Sequence, residues 1–242
     1  MASEAQDQKP IVGYIGLGNA GYPLASVLAR AGYTLVVRDA NPTAAERFAD
    51  EHARATIAGK DADFGNVDIL ITMLPDGDIV RKVLLASDSN SLAGHLKNGS
   101  IVIDTSSSSP FHTRETGSLL AKLNPTLTPI DAPITQAYAC ALAKGDATLM
   151  VGCSNPAALD TAIPVLKTMG KHVFHMGELG AGHAMKTLNN YTSAASILGL
   201  CDALMAGQKF GLDPQTMVEV MNVGTGVNFS TKESFRTDVS LE

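Results

Sequence analysis

The segment IVGYIGLGNAGYPLASVLARAGY, residues 11–33, limits the possible folds more than any other stretch. An apolar run, Ile11–Ile15, reads as a buried strand and stops at Gly16. Leu24, Val27, Leu28 and Ala31 then recur at helical spacing, and Gly32 ends the helix. Between them stands Gly16-x-Gly18-x-x-Gly21. Placed after a strand and opening a helix, these glycines have three separate jobs. They allow a tight turn, a close approach of backbone to a pyrophosphate, and close packing of helix on strand. Gly16, Leu17, Gly18, Asn19, Ala20 and Gly21 are therefore expected to cradle a dinucleotide, whose negative charge faces the helix N-terminus. Asp39 closes the next strand, Thr34–Arg38, where a carboxylate can bind both ribose hydroxyls of NAD. Arg38 beside it would instead suit the 2′-phosphate of NADP.

The same alternation runs on. Asn41-Pro42 is a helix start, an acceptor side chain followed by proline at the first helical position. DILITML (68–74) reads as a strand. PDGDIVRKVLL follows, with Ile79, Val80, Val83 and Leu84 on one helical face. SIVIDTSS, LTPIDAP, ATLMVG and KHVFHMG are further strands. They are apolar runs, without in/out alternation, so the expected fold class is α/β. A mostly parallel, Rossmann-type doubly wound sheet is covered on both faces and followed by an all-helical second domain. The expected organisation is a flexible tail over 1–9, a dinucleotide-binding domain over 10–178 and a helical domain over 179–242. The helical part opens after the glycine-rich GELGAG with a helix over about 183–210, roughly 40 Å long at about 1.5 Å per residue. That helix carries no Asp, Glu, Lys or Arg from Thr187 to Cys201 and many small residues. It is expected to be packed on several sides, as the spine of the molecule and part of a homo-oligomer interface. Asp213-Pro214 starts another helix, with Met217, Val218 and Met221 inward and Gly224 as its stop.

Composition excludes several classes. The net charge is −6, with 18 Lys and Arg against 24 Asp and Glu. A nucleic acid partner is not expected, because a phosphate backbone recruits clustered cations. No run of 18 apolar residues exists, so no membrane span is expected. The polar first residues lack the apolar core of a signal peptide, and the three cysteines are scattered without a C-x-x-C. Both features fit a reducing, cytoplasmic setting. His172 and His175, three apart on a strand, face opposite sides, so no metal site is expected.

Three segments hold groups suited to chemistry. DTSSSSP (104–110) and DAPITQA (131–137) each follow a strand, at the sheet edge where α/β folds bind ligands. Thr105 is expected on the cofactor side. Either segment could also be a plain capping or proline-fixed turn. The third is GAGHAMKTLNN. Lys186 heads an uncharged helix, and Asn190 lies one turn on along the same face. In a partly dry cleft the ammonium form is disfavoured, so the amine drifts toward a pKa useful for moving a hydroxyl proton. A lysine snorkelling from a helix start is the plainer alternative, and His183, one turn earlier, borders the site or merely fills the core.

These motifs, in this order, resemble those of the β-hydroxyacid dehydrogenases, the group of 3-hydroxyisobutyrate dehydrogenase and tartronate semialdehyde reductase. GLGNAGYPLA is similar to that family's glycine-rich fingerprint, DTSSSSP to its D-x-S-[ST] loop, and GAGHAMKTLNN to its G-x-G-x-x-x-K-x-x-N-N. DAPITQA stands where the family has D-A-P-V-S-G-G, and the ITMLP segment, with Leu74 and Pro75, resembles a loop beside the nicotinamide. The resemblance implies an NAD(P)-dependent enzyme that oxidises a small hydroxy acid or reduces its semialdehyde. Lys186 would be its acid/base and Asn190 the companion. Ser106, Thr135, Gln136 and Ala137 would line the substrate. NAD is expected over NADP because of Asp39.

Two departures accompany the resemblance. Thr135-Gln136-Ala137 replaces Ser-Gly-Gly, which puts side chains where bare backbone could cradle a carboxylate. This leaves room for a different carbonyl substrate or an imine, and for a non-catalytic NAD(P)-binding module. The family also continues through further helices, so the helical domain is expected to be short or completed by a partner.

Overall fold

The computed structural model describes residues 9–86, 91–135 and 139–233. The chain forms two compact units, Met1–Lys186 and Thr187–Glu242.

Among the described residues the first unit is built on nine strands: β1 Val12–Ile15, β2 Leu35–Arg38, β3 Ala55–Ile57, β4 Ile69–Thr72, β5 Ile101–Asp104, β6 Thr128–Asp131, β7 Ile134–Thr135, β8 Ala147–Gly152 and β9 Gly170–Gly177. They order as β3-β2-β1-β4-β5-β6-β8-β7, with β9 on β8. Pairing is parallel from β3 through β6. β8 runs antiparallel to β6 and β7, and β9 lies parallel to β8. The helices are α1 Gly21–Arg30, α2 Pro42–Glu51, α3 Gly77–Leu85, α4 Leu92–His95, α5 Pro110–Leu123, α6 Ala139–Leu142, α7 Pro156–Met169, α8 Ala181–Lys209, α9 Pro214–Val223 and α10 Phe229–Glu233.

Alternate strand residues feed two cores, which is what an apolar run without in/out alternation implies. Val12, Tyr14, Ile69, Ile71, Ile101 and Ile103 face one side, where Leu24 and Leu28 of α1 and Val165, Leu166 and Met169 of α7 cover them. Ile15, Leu70 and Val102 face the other, under Val80 and Leu84 of α3 and Leu120 of α5. The parallel register sets Arg38, Ile15, Thr72, Asp104 and Asp131 in one row across β2, β1, β4, β5 and β6. The residues just past that row form the C-terminal edge of the sheet, where open α/β sheets bind their ligands.

The helix starts expected from sequence form as capped starts. The Asn41 side chain accepts from Thr43 N–H, and that of Asp213 from Thr216 N–H. In the second unit Leu200, Leu204 and Val218 make a small core with Met217 and Met221 packed against it. In the single chain Tyr191 of α8 is 73% exposed and Leu198 66%. Within this unit α9 and α10 contribute one small cluster against α8. Two buried polar atoms of this unit, Asn222 Oδ1 and Ser230 Oγ, also lack a partner among the described residues. Among the described residues no helix is long and apolar enough to cross a membrane.

Candidate active site

The glycine-rich turn is shaped partly by the protein and partly left open. Gly16 has φ +102°, a conformation L side chains avoid, and a Cβ there would overlap the Met73 carbonyl oxygen. A Cβ at Gly21 would overlap the Gly16 carbonyl oxygen. Packing alone therefore demands glycine at both positions. Gly18 is different. It is exposed, and no described atom lies within 4 Å of where its Cβ would stand. α1 opens behind it from Ala20, an alanine with no side-chain acceptor to offer the first N–H groups. A space kept clear beside a helix N-terminus fits a dinucleotide pyrophosphate.

Asp39 is tied into the same turn. Its carboxylate accepts from Leu17 N–H at 2.6 Å and from Asn41 N–H at 2.7 Å, one bond to each oxygen. The second lone pair of each oxygen stays available to a ribose hydroxyl. Arg38 is committed elsewhere: it pairs with Asp61 and lies 5.2 Å over the Phe64 ring. Asn19 is exposed at the outer rim of the turn.

The loops after β4 and β5 are stitched together. Thr105 Oγ1 donates to Thr72 O at 2.7 Å, and Thr72 Oγ1 donates to Asp104 at 3.0 Å. The Ser106 hydroxyl accepts from Leu74 N–H at 2.9 Å. Thr105 and Ser106 are buried, whereas Pro75 is exposed. In this arrangement Ser106 braces the Leu74 loop.

The entry to α8 is filled by the protein itself. Asp131, fully buried at the end of β6, accepts from Gly180 N–H at 2.6 Å and from His183 N–H at 2.7 Å. The DAPITQA motif thus carries an internal helix cap reaching across the fold. Glycine makes room for it: a Cβ at Gly152 would overlap Asp131 Oδ1, and one at Gly182 would overlap the Met150 carbonyl oxygen. Burial pushes the Asp131 carboxyl up, while the two N–H groups and the His183 ring pull the other way. His183 is also fully buried. Its Nε2 lies 3.0 Å from Ser106 O and its Nδ1 2.8 Å from the Thr113 hydroxyl of α5. Asp131 and Asp104 carboxylates stand 3.5 and 3.9 Å from the ring nitrogens.

Lys186 follows one turn later. It is half-buried, and desolvation holds its amine below the ordinary lysine range. Asn190 is exposed four residues further along α8. Thr135 ends β7 against Thr148 of β8. Gln136 and Ala137 lie outside the described residues. The structure thus joins the glycine turn, Asp39, Leu74, Thr105, Ser106 and the start of α8 along one sheet edge. Sequence reasoning missed Asp131 and Thr113 as parts of this assembly and left His183 without a role. Their partners are 49 to 77 residues away in the chain, so no local pattern flags them. Among the described residues no group of three or more His, Cys, Asp or Glu is arranged to hold a metal ion.

Comparison with known proteins agrees with this layout. Residues 11–177 match the family described as the NAD binding domain of 6-phosphogluconate dehydrogenase. Residues 180–240 match that described as NAD-binding of NADP-dependent 3-hydroxyisobutyrate dehydrogenase. The chain is 32% identical over 227 residues to human mitochondrial 3-hydroxyisobutyrate dehydrogenase, covering 93% of this chain and 65% of that protein. It is 33% identical over 219 residues to the NAD-dependent L-serine dehydrogenase of Pseudomonas aeruginosa, covering 90% and 71%. The solved structure of Mycobacterium tuberculosis 3-hydroxyisobutyrate dehydrogenase with L-serine superposes with TM-score 0.83 at 28% identity, covering 93% of this chain and 74% of that one. The chain therefore spans just under two thirds of the length of the mitochondrial relative.

Proposed function

The chain belongs to the β-hydroxyacid dehydrogenase family and carries its NAD-binding domain, and from that premise we propose that it oxidises a small β-hydroxy acid, or reduces the matching semialdehyde, with Lys186 as acid/base. The single observation that carries the chemistry is the half-buried Lys186, an amine lowered by desolvation at the head of a helix anchored to the sheet edge. The relatives' names add a substrate class. 3-Hydroxyisobutyrate and L-serine share the form HOCH2–CH(R)–COO−. Such a substrate loses a hydride from its carbinol carbon and a proton from its hydroxyl, leaving OHC–CH(R)–COO−. When bound, the nicotinamide supplies the hydride acceptor.

The chain's own groups do the rest in this reading. The neutral Lys186 amine takes the hydroxyl proton as the carbon–hydrogen bond breaks, and in the reverse direction the ammonium returns it. Asn190 orients the amine or the substrate oxygen. Gly16–Gly21 and the N-terminus of α1 hold the pyrophosphate, with Leu74, Pro75 and Thr105 beside the nicotinamide. Asp39 takes the ribose hydroxyls and favours NAD, a preference supported by the engagement of Arg38 with Asp61 and Phe64. Ser106 and Thr135, with Gln136 and Ala137, bound the substrate carboxylate.

A second copy is the proposed cover for the helical unit, on the ground that Tyr191, Leu198, Phe210 and Val223 stand exposed and α8 is uncharged from Thr187 to Cys201. Sedimentation should then show a concentration-dependent dimer or higher oligomer, and a monomer at all concentrations would remove that part of the reading. A cytoplasmic setting is proposed with it, supported by the free thiols of Cys153 and Cys201.

The test is reduction of NAD+ and NADP+ in the presence of L-serine and of 3-hydroxyisobutyrate. Turnover with NAD+ that is abolished in Lys186→Ala supports the reading. NAD binding without turnover on either acid would instead support a non-catalytic nucleotide-binding module.

A further inference from the structure

We propose that His183 is a positioning residue that clamps the Ser106 loop to the first turn of α8 and so fixes where the Lys186 amine stands. The proposal rests on Lys186 being the acid/base.

The geometry is specific. A backbone carbonyl can only accept, so the 3.0 Å contact to Ser106 O assigns the proton to His183 Nε2. Nδ1 then faces the Thr113 hydroxyl at 2.8 Å. The backbone N–H of the same residue goes to Asp131. One residue thus joins four elements: the loop after β5, α5, the end of β6 and α8. A fully buried imidazole must have its nitrogens satisfied, and here two separate parts of the fold satisfy them.

The consequence runs both ways along the site. Toward the cofactor side, Ser106 carries the link on, because its hydroxyl accepts from Leu74 N–H. Toward the substrate side, Lys186 is three residues past His183, less than one turn of the same helix. An α-helix turns about 100° per residue, so a small rotation of the first turn swings the amine away from a bound hydroxyl. Misplacement of about 1 Å can cost about a hundredfold in rate. Loosening the clamp should therefore lower kcat far more than it weakens dinucleotide binding, which rests chiefly on the glycine turn and Asp39.

The experiment uses the full chain with NAD+ and, as probes, L-serine and 3-hydroxyisobutyrate. His183→Leu removes the ring contacts to Ser106 O and the Thr113 hydroxyl. His183→Gln keeps an amide N–H for Ser106 O. The expected result is a kcat at least about tenfold lower in His183→Leu, a dissociation constant for NAD within about twofold of wild type, and recovery of most of kcat in His183→Gln. In the cofactor-free protein, isotope-labelled reductive methylation should show the Lys186 amine titrating at a shifted pH in His183→Leu and returning in His183→Gln. Wild-type kcat and an unchanged Lys186 titration in His183→Leu would overturn the proposal, as would NAD affinity falling in step with kcat. If His183→Leu does not fold, Thr113→Val takes its place. There a loss of about threefold or more in kcat at unchanged NAD affinity supports the clamp, and wild-type kcat overturns it. Lys186→Ala run alongside separates the two ideas. If it retains kcat, the acid/base reading falls and takes the clamp with it. If it is inactive while His183→Leu is wild type, only the clamp falls.

Discussion

The chain enters two helices through glycine-rich turns, and the two turns are opposites. Before α1, Gly18 borders empty space and Ala20 offers no cap. Before α8, Gly180 and Gly182 crowd against the fold, and the Asp131 carboxylate occupies the position where an external anion would otherwise sit. Both use the same physics, an anion at a helix N-terminus. At α1 the helix start stays open. At α8 the Asp131 carboxylate fills it from within the fold, one turn before Lys186. A glycine pattern by itself thus does not announce a binding site; what matters is whether the protein has filled the helix start already.

This contrast can be broken at several points. The largest effect is expected at Lys186, the proposed acid/base. Lys186→Ala should lower kcat by about 100- to 10,000-fold, the usual span for losing an acid/base group, with NAD affinity unchanged by calorimetry. Next comes the filled turn. Gly182→Ala drives a Cβ into the Met150 carbonyl and toward Asp131, and should destabilise the protein by about 2–3 kcal/mol in chemical denaturation. At the open turn the corresponding Gly18→Ala should leave stability unchanged and weaken NAD by about tenfold, roughly 1.4 kcal/mol. Asp39→Ala should weaken NAD more than NADP, and equal losses for both would show that Asp39 does not read the ribose.

The smallest expected effect concerns stability and pH. Burial lowers the Lys186 amine in the folded protein relative to the unfolded chain. The folded state therefore binds fewer protons between those two values, so this group's contribution to stability rises with pH through that window. Below it the charged, half-buried amine is a net cost. Lys186→Met should raise Tm at neutral pH, and the gain should shrink as pH approaches the ordinary lysine range. A gain that is independent of pH would point to packing instead. The same lowering means that oxidation should reach its plateau below the pH an ordinary lysine would require.

Much of the first unit was legible because its signals are local. Ile11–Ile15, DILITML and SIVIDTSS are apolar runs bounded by turn residues, and Asn41-Pro42 caps as its chemistry requires, as does Asp213-Pro214 in the second unit. β3 and β7 were missed because three and two residues carry no period. The antiparallel run of β8 was invisible, since ATLMVG is apolar on both faces whichever way it points. The glycine-rich turn before α1 was legible as a spacing. The Asp131 cap and the His183 clamp were not, because each is defined by atoms brought together from distant strands. The uncharged stretch of α8 is legible only as a surface suited to burial; in the single chain Tyr191 and Leu198 stand exposed, and what covers them is not written in the local sequence.

The most direct test of the contrast is a calorimetric titration of NAD+ into wild type, Gly18→Ala and Gly182→Ala under conditions where all three are folded. The account predicts that only Gly18→Ala loses affinity, by about tenfold, while Gly182→Ala binds as wild type does. Wild-type affinity in Gly18→Ala, or an equal loss in both variants, would contradict it.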